Sequence, residues 1–272
     1  MIWAGYDIPH KEWCPAYKKL SAMRKNYFVK SMLSSCAALL AFMPAVAQTS
    51  TTSRPENFPP PRQNYVIQTP TYLSDYFEEG TTPSVSPDSE GFIRRWTVLE
   101  PISKPNRSNT VFTDSYLNHV LDSVYFKDQM TVLPKNGDKV KVDGKKLKWH
   151  ALDSKLYNFK LYRLAAALKK PVYGVIFFAV TVIDCPEDIE NVRLSAGSNS
   201  ASKWWLNGEE VLILSGDRRM VADDGVSKRL TLKKGKNVLR CAVINGPGMS
   251  DFCARFVDEN GNPVNNYTIS YQ

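Results

Sequence analysis

The stretch Val172–Pro186, "VYGVIFFAVTVIDCP", decides how the rest of the chain is read. It is β-branched and aromatic, apolar at odd and even positions alike, and ended by Pro186. A short apolar run without alternation is a central strand with both faces covered. It is too short and too interrupted to cross a membrane as a helix. After it come short alternating segments, "NVRLSAG", "KWWL", "EEVLIL", "SKRLTL", "NVLRCAVI", "DFCARFVD" and "NYTISY". Turn signals separate them: Asn207-Gly208, Lys234-Gly235, "NGPGMS" at 245–250 and "NGNP" at 260–263. Many strands, frequent turns and few helices predict an all-β antiparallel sandwich.

Upstream, "FIRRWTVLEPI" predicts a strand ended by Pro101, and Asp143-Gly144 sits between two alternating runs as a hairpin turn. Tyr116, Leu117, Val120, Leu121 and Val124 recur at helical spacing within Thr113–Phe126, with Asp114 as the expected cap. A second short helix is expected within Phe159–Lys169, where a strand is the alternative. The sandwich is expected to occupy residues 91–272. Residues 48–105 hold nine of the 17 prolines, so 48–90 is expected to be a Pro/Ser/Thr-rich linker or arm.

The first 47 residues carry a different signal. From Met23, "MRKNYFVKSMLSSCAALLAFMPAVAQ" has a basic start, an apolar run and a small-x-small motif. That predicts a secretory signal peptide over 23–47, cleaved after Ala47, with 1–22 an upstream mis-start. "LSSC" at 33–36 offers the alternative of a lipoprotein anchored through Cys36. Residues 1–47 carry six Lys/Arg and two Asp/Glu, so removing them lowers the formal charge from +8 to +4. No basic block with interleaved aromatics remains, which argues against nucleic acid.

Cys185, Cys241 and Cys253 would remain in the exported protein. No pair has metal-ligand spacing. Cys241 and Cys253 fall on strands expected to be hairpin partners, where a disulfide is conceivable in an exported protein, but buried thiols are the default reading.

In "KWWLNG" successive side chains face opposite ways. Trp204 shares a face with Leu206 and is the expected core residue. Trp205 is then the expected exposed one, a sugar platform or a packing surface. Asn207-Gly208 supplies the positive φ values of a tight turn.

The order of motifs resembles the galactose-binding-domain-like β-sandwich of secreted, Bacteroidetes-type carbohydrate-processing proteins, which implies a jelly-roll form of the sandwich. These motifs are Gly197-Ser198, Leu206-Asn207-Gly208, Asp223-Asp224, Leu232 to Leu239, Val243 to Gly248 and Phe252 to Arg255, within residues 172–264. "RRWTVLEPI" and "KWHAL" also resemble the start of such modules in acetylxylan-esterase-associated chains. The resemblance implies a non-catalytic accessory protein for xylan-type polysaccharide breakdown, binding glycan or positioning a catalytic partner. Trp205, Asn199, Asp217, Arg218, Arg219 and Asp224 are the candidate ligand residues. Asp223 and Asp224 are candidate ligands for a calcium ion.

Two alternatives stay open. One is an acetylxylan esterase, or the front part of one. A serine esterase needs a histidine, here His119 or His150, and "GMSDF" at 248–252 lacks the final glycine of a nucleophile elbow. The other is a structural or surface interaction protein.

Overall fold

The computed structural model describes residues 70–272. The expected leader, the alternative anchor at Cys36 and most of the arm lie outside the described residues.

A 3-10 turn at Leu73–Asp75 leads into β1 (Phe77–Glu78), β2 (Ser84–Val85), β3 (Arg95–Leu99) and β4 (Ile102–Ser103). Helix α1 (Asp114–Leu121) follows, then the hairpin β5 (Lys139–Val142) and β6 (Lys145–Ser154), then α2 (Leu161–Ala167). The second half is all strand: β7 (Val175–Cys185), β8 (Ile189–Asn199), β9 (Ala201–Leu206) and β10 (Glu209–Leu214). It finishes with β11 (Gly225–Val226), β12 (Leu230–Leu232), β13 (Gly235–Asn245), β14 (Asp251–Val257) and β15 (Thr268–Ser270).

The strands form two antiparallel sheets. The large one runs β1-β6-β3-β7-β13-β9-β10, with β5 on β6, β4 and β15 on β7, and β2 on β15. The small one places β8 between β14 on one side and β11 and β12 on the other. The chain changes sheet between β7 and β8, between β8 and β9, between β10 and β11, between β12 and β13, between β13 and β14, and between β14 and β15. This is the expected all-β sandwich. The central strand is where the sequence placed it: β7 pairs with β13 without a slip from Val175↔Asn245 to Cys185↔Gly235, and is buried along its length apart from Asp184.

The large sheet is covered on both faces. Between the sheets lie Trp96, Phe177, Trp204, Leu239, Leu194 and Phe252, with Leu161 and Leu164 of α2 closing one side. Trp96, Trp204 and Phe252 meet edge to face at 5.0–6.2 Å between ring centres, the arrangement that suits aromatic quadrupoles. A second core fills the opposite face, where Leu117, Val120 and Leu121 of α1 pack with Phe112 and Phe126 on Trp149, Phe178 and Trp205. The expectation that only one of the paired tryptophans is buried is therefore corrected. Alternation does send Trp204 and Trp205 to opposite faces, but each face has its own cover, and they are 0% and 4% exposed.

Local chemistry explains the elements. Thr113, not Asp114, caps α1: its side chain accepts from the Tyr116 amide at 3.3 Å, and Asp114 takes the first helical position. The β9–β10 turn has φ of +52° at Asn207 and +89° at Gly208, as a tight primed turn needs. Asn207 is also tied structurally, accepting from the Val238 amide at 2.8 Å and donating to Asn237 at 3.0 Å. Within the segment expected to be a linker or arm, the described residues from 70 to 90 include two short strands. Phe77 is buried, β1 pairs with β6, and β2 pairs with β15.

Cys241 and Cys253 are not hairpin partners. β13 lies in the large sheet and β14 in the small one. Cys241 faces the space between the sheets, and Cys253 alternates with the inward Phe252 and Ala254, so it faces outward. Both are free and buried, as is Cys185.

Candidate functional site

The outer face of the small sheet carries the polar chemistry. Antiparallel pairing sets Arg193, Ser195, Gly197 and Asn199 of β8 opposite Val257, Arg255, Cys253 and Asp251 of β14. Residues 215–224, which link β10 to β11, fold across this face. A Cβ on Gly197 would sit 1.8 Å from the Val221 carbonyl oxygen, so only glycine allows that close approach.

The crossing brings Asp223 onto the sheet. Its Oδ1 accepts from Ser195 Oγ at 2.6 Å and from Arg255 Nε at 2.9 Å, and Oδ2 takes a second bond from Arg255. This fork geometry is the strong form of the guanidinium–carboxylate pair. Burial pushes the Asp223 carboxyl up, but the bonds from Arg255 and Ser195 outweigh it and hold it below the usual carboxylate range. Arg255 also donates to the Glu90 carbonyl at 2.8 Å and lies 4.9 Å over the Phe92 ring. Phe92 in turn meets Tyr157 at 5.1 Å between ring centres, and Tyr157 is 41% exposed. A continuous row therefore runs Asp223, Arg255, Phe92, Tyr157, from a charged pair to an accessible aromatic ring.

Five of the six predicted ligand residues gather near this face. Arg218 donates to Asp224 at 2.7 Å and to the Ser215 carbonyl at 3.2 Å, while its own carbonyl accepts from the Ser200 amide at 3.1 Å. Asp217 accepts from Asn109 at 2.7 Å. Asn109 also binds the Pro247 carbonyl and the Gly246 amide, and so joins three loops. Asn199 is half-buried at the end of β8 and Arg219 is exposed. Arg218 and Asp224 are therefore spent largely on each other. Asp223 and Asp224 face different arginines, and a calcium ion would have to displace those partners. Among the described residues no three His, Cys, Asp or Glu side chains cluster as a metal site.

Trp205 is the exception. Its ring is buried in the second core, on a different sheet, with Lys203 Nζ 5.5 Å from its centre. The expected exposed platform at Trp205 is corrected by that burial: a ring enclosed by α1 and the large sheet offers no face to a sugar. Tyr157, Phe92, Ser195 and Asn109 were missed. Arg255 was visible as the end of the Phe252–Arg255 motif, but without a role.

The histidines fall elsewhere. His119 is exposed on α1. His150 is buried on β6, its Nε2 3.6 Å from Glu100, and Nε2 has no hydrogen-bond partner among the protein atoms. Ser250 of "GMSDF" is fully buried, just before β14. Burial pushes the Cys185 thiol up to about 11 and the Cys253 thiol up to about 12, so both are protonated, inert packing groups near neutral pH.

No family model matches the chain, and no curated protein matches it. Among solved structures, the PA14 domain of the MpAFP antifreeze protein is similar at 10% identity over 71% of this chain and 96% of that one, with a TM-score of 0.39. A PA14 sugar-binding domain from an RTX adhesin is similar at 9% identity over 66% of this chain and 100% of that one, with a TM-score of 0.34. A β-glucosidase from Kluyveromyces marxianus, solved with glucose, is similar at 20% identity over 45% of this chain, with a TM-score of 0.31. This chain spans 16% of that enzyme's length.

Proposed function

We propose that this chain is a carbohydrate-binding β-sandwich module, exported and accessory to the breakdown of xylan-type plant polysaccharide. Glycan lies on the outer face of the small sheet. The supporting observation is the row Asp223–Arg255–Phe92–Tyr157, in which an accessible ring adjoins a preorganised charged pair. A sugar presents an apolar C–H face and a rim of hydroxyls, which an aromatic ring and planar polar side chains complement. Tyr157 supplies the ring. Asp223 and Arg255 supply fixed acceptors and donors, and Asn199 and Arg219 extend the polar rim. A catalytic domain on a partner would be brought to its substrate by this contact.

The test is affinity electrophoresis through gels containing acetylated xylan, other plant glycans, or none. The chain is retarded by at least one glycan, and Tyr157→Ala weakens retention about tenfold, the worth of one aromatic contact. Asp223→Asn weakens it further. Equal retention in both variants would place the binding face elsewhere; no retention in any gel would remove the carbohydrate reading.

A further inference from the structure

The β5–β6 hairpin carries a charge pattern that neither the fold nor the polar face of the small sheet uses. Its register sets Lys139 opposite Lys148 and Lys141 opposite Lys146. Cross-strand partners share a face, so all four lysines project from one side of the hairpin. The other side holds an exposed Lys145 beside the turn and Val140, Val142 and Leu147, packed into the second core, so the hairpin cannot turn over to separate the charges. Lys139, Lys141 and Lys146 are exposed and Lys148 is half-buried. No carboxylate of the described residues forms an ion pair with any of the four. Glu100, next to Lys148, is taken by the Lys170 ammonium at 3.0 Å and the Lys148 amide at 3.2 Å.

Like charges directly opposite each other on a sheet are destabilising. Lysines on an edge strand guard against edge-to-edge association, which accounts for Lys139 and Lys141 of β5. It does not account for Lys146 and Lys148, which lie on β6, already covered by β5. Their contribution is concentrated positive charge. Successive pairs stand about 7 Å apart along the strands and about 5 Å across, a footprint for a chain with negative groups at short, regular intervals.

We propose that this lysine ladder binds a linear acidic polysaccharide through its carboxylates. Three features select that partner among polyanions. Ammonium groups act as point charges without the fork that reads phosphate geometry. The ladder positions 139, 141, 146 and 148 are all lysine and supply no aromatic side chain on which a base could stack. The tip is Asp143-Gly144, which has no apolar group to enter a bilayer. The ladder is distinct from the face containing Tyr157 and Asp223, so either assignment can fail without the other.

The experiment uses the full chain and measures binding to polygalacturonate, to its fully methyl-esterified form, and to neutral xylan, at low and moderate salt. Polygalacturonate binds at low salt and is released as salt rises, as contacts to a polyanion require. The esterified polymer does not bind at the ladder. Lys141→Gln with Lys146→Gln weakens polygalacturonate binding about thirtyfold, from two lost surface charges, and leaves the thermal midpoint unchanged or higher. Binding of neutral xylan is the same in the double variant as in the parent protein. Undiminished binding by the double variant overturns the proposal. So does equal binding to the esterified polymer, or a preference at matched charge for duplex DNA or phosphatidylserine vesicles. A double variant that self-associates while still holding the polyanion reduces the lysines to edge guards.

Discussion

His150 sits at one edge of the first core with Glu100 and two lysines around it. Burial, then the charge of Lys148, hold its imidazole below the ordinary value of 6.5, against the opposing pull of Glu100. The native protein thus keeps this group neutral where the unfolded chain begins to protonate it. Stability from this site is full above about 6.5 and is lost as pH falls below it, because the unfolded state then binds more protons. Glu100 acts in the same direction at lower pH. Burial pushes its carboxyl up, but the Lys170 ammonium and the Lys148 amide hold it below its usual 4.5, so its share is lost as pH falls beneath that value. We predict that the urea midpoint falls in two steps on acidification, and that His150→Asn removes the first. An undiminished first step in the variant would assign it to other groups.

At the scale of elements, one buried lysine holds a helix to a sheet. Lys203 of β9 is 1% exposed, and its ammonium donates at 2.8 Å to Asn118 and Asp122 at the end of α1 and pairs at 2.8 Å with Glu210 of β10. This clamp roofs Trp205. Lys203→Ala should cost about 1–3 kcal/mol, less than for a stranded buried charge, since Asp122 and Glu210 are about half exposed and regain water. The urea midpoint should drop with an unchanged slope, and protease should reach the α1 region first. An unchanged midpoint would show that apolar packing alone seats α1. The elements themselves were largely legible: Asp143-Gly144 and Asn207-Gly208 give the two hairpins, and the apolar spacing from Tyr116 gives α1. The cap was misassigned because Thr113 and Asp114 are both good capping residues, and only the backbone course chooses between them.

Across the whole described domain, an early segment and the C-terminal segment meet at Arg95. Its guanidinium is 1% exposed, binds both oxygens of Asp153 at 2.7–2.8 Å and the Thr82 carbonyl at 2.9 Å, and lies 4.6 Å over the Tyr271 ring. Tyr271 donates to Asp153 at 2.8 Å, and Gly80 leaves the space its ring occupies. Arg95→Met should destabilise by about 2–4 kcal/mol by stranding a poorly exposed carboxylate, and Tyr271→Phe by about 1 kcal/mol. Both should expose the 77–90 segment to protease before the core opens. Cleavage no faster than in the parent protein would mean that the β1 and β2 pairings suffice. The arm escaped the sequence reading because its strands are two residues each, too short for alternation to register, and its partners lie far along the chain.

The sequence by itself determined what neighbours within a few residues decide. It marked β7 as apolar on both faces, placed the turns, and sent Trp204 and Trp205 in opposite directions. Tertiary structure decided what lies over each face. Trp205 is buried because α1 and the segment around it fold onto the far side of the large sheet, and nothing in "KWWLNG" encodes that distant cover. Likewise Phe92, Tyr157, Asp223 and Arg255 come from four separated segments. Their meeting depends on β14 pairing with β8 and on Val221 crossing Gly197. Alternation and turn chemistry act over a few bonds, whereas burial and site assembly depend on which strands share a sheet.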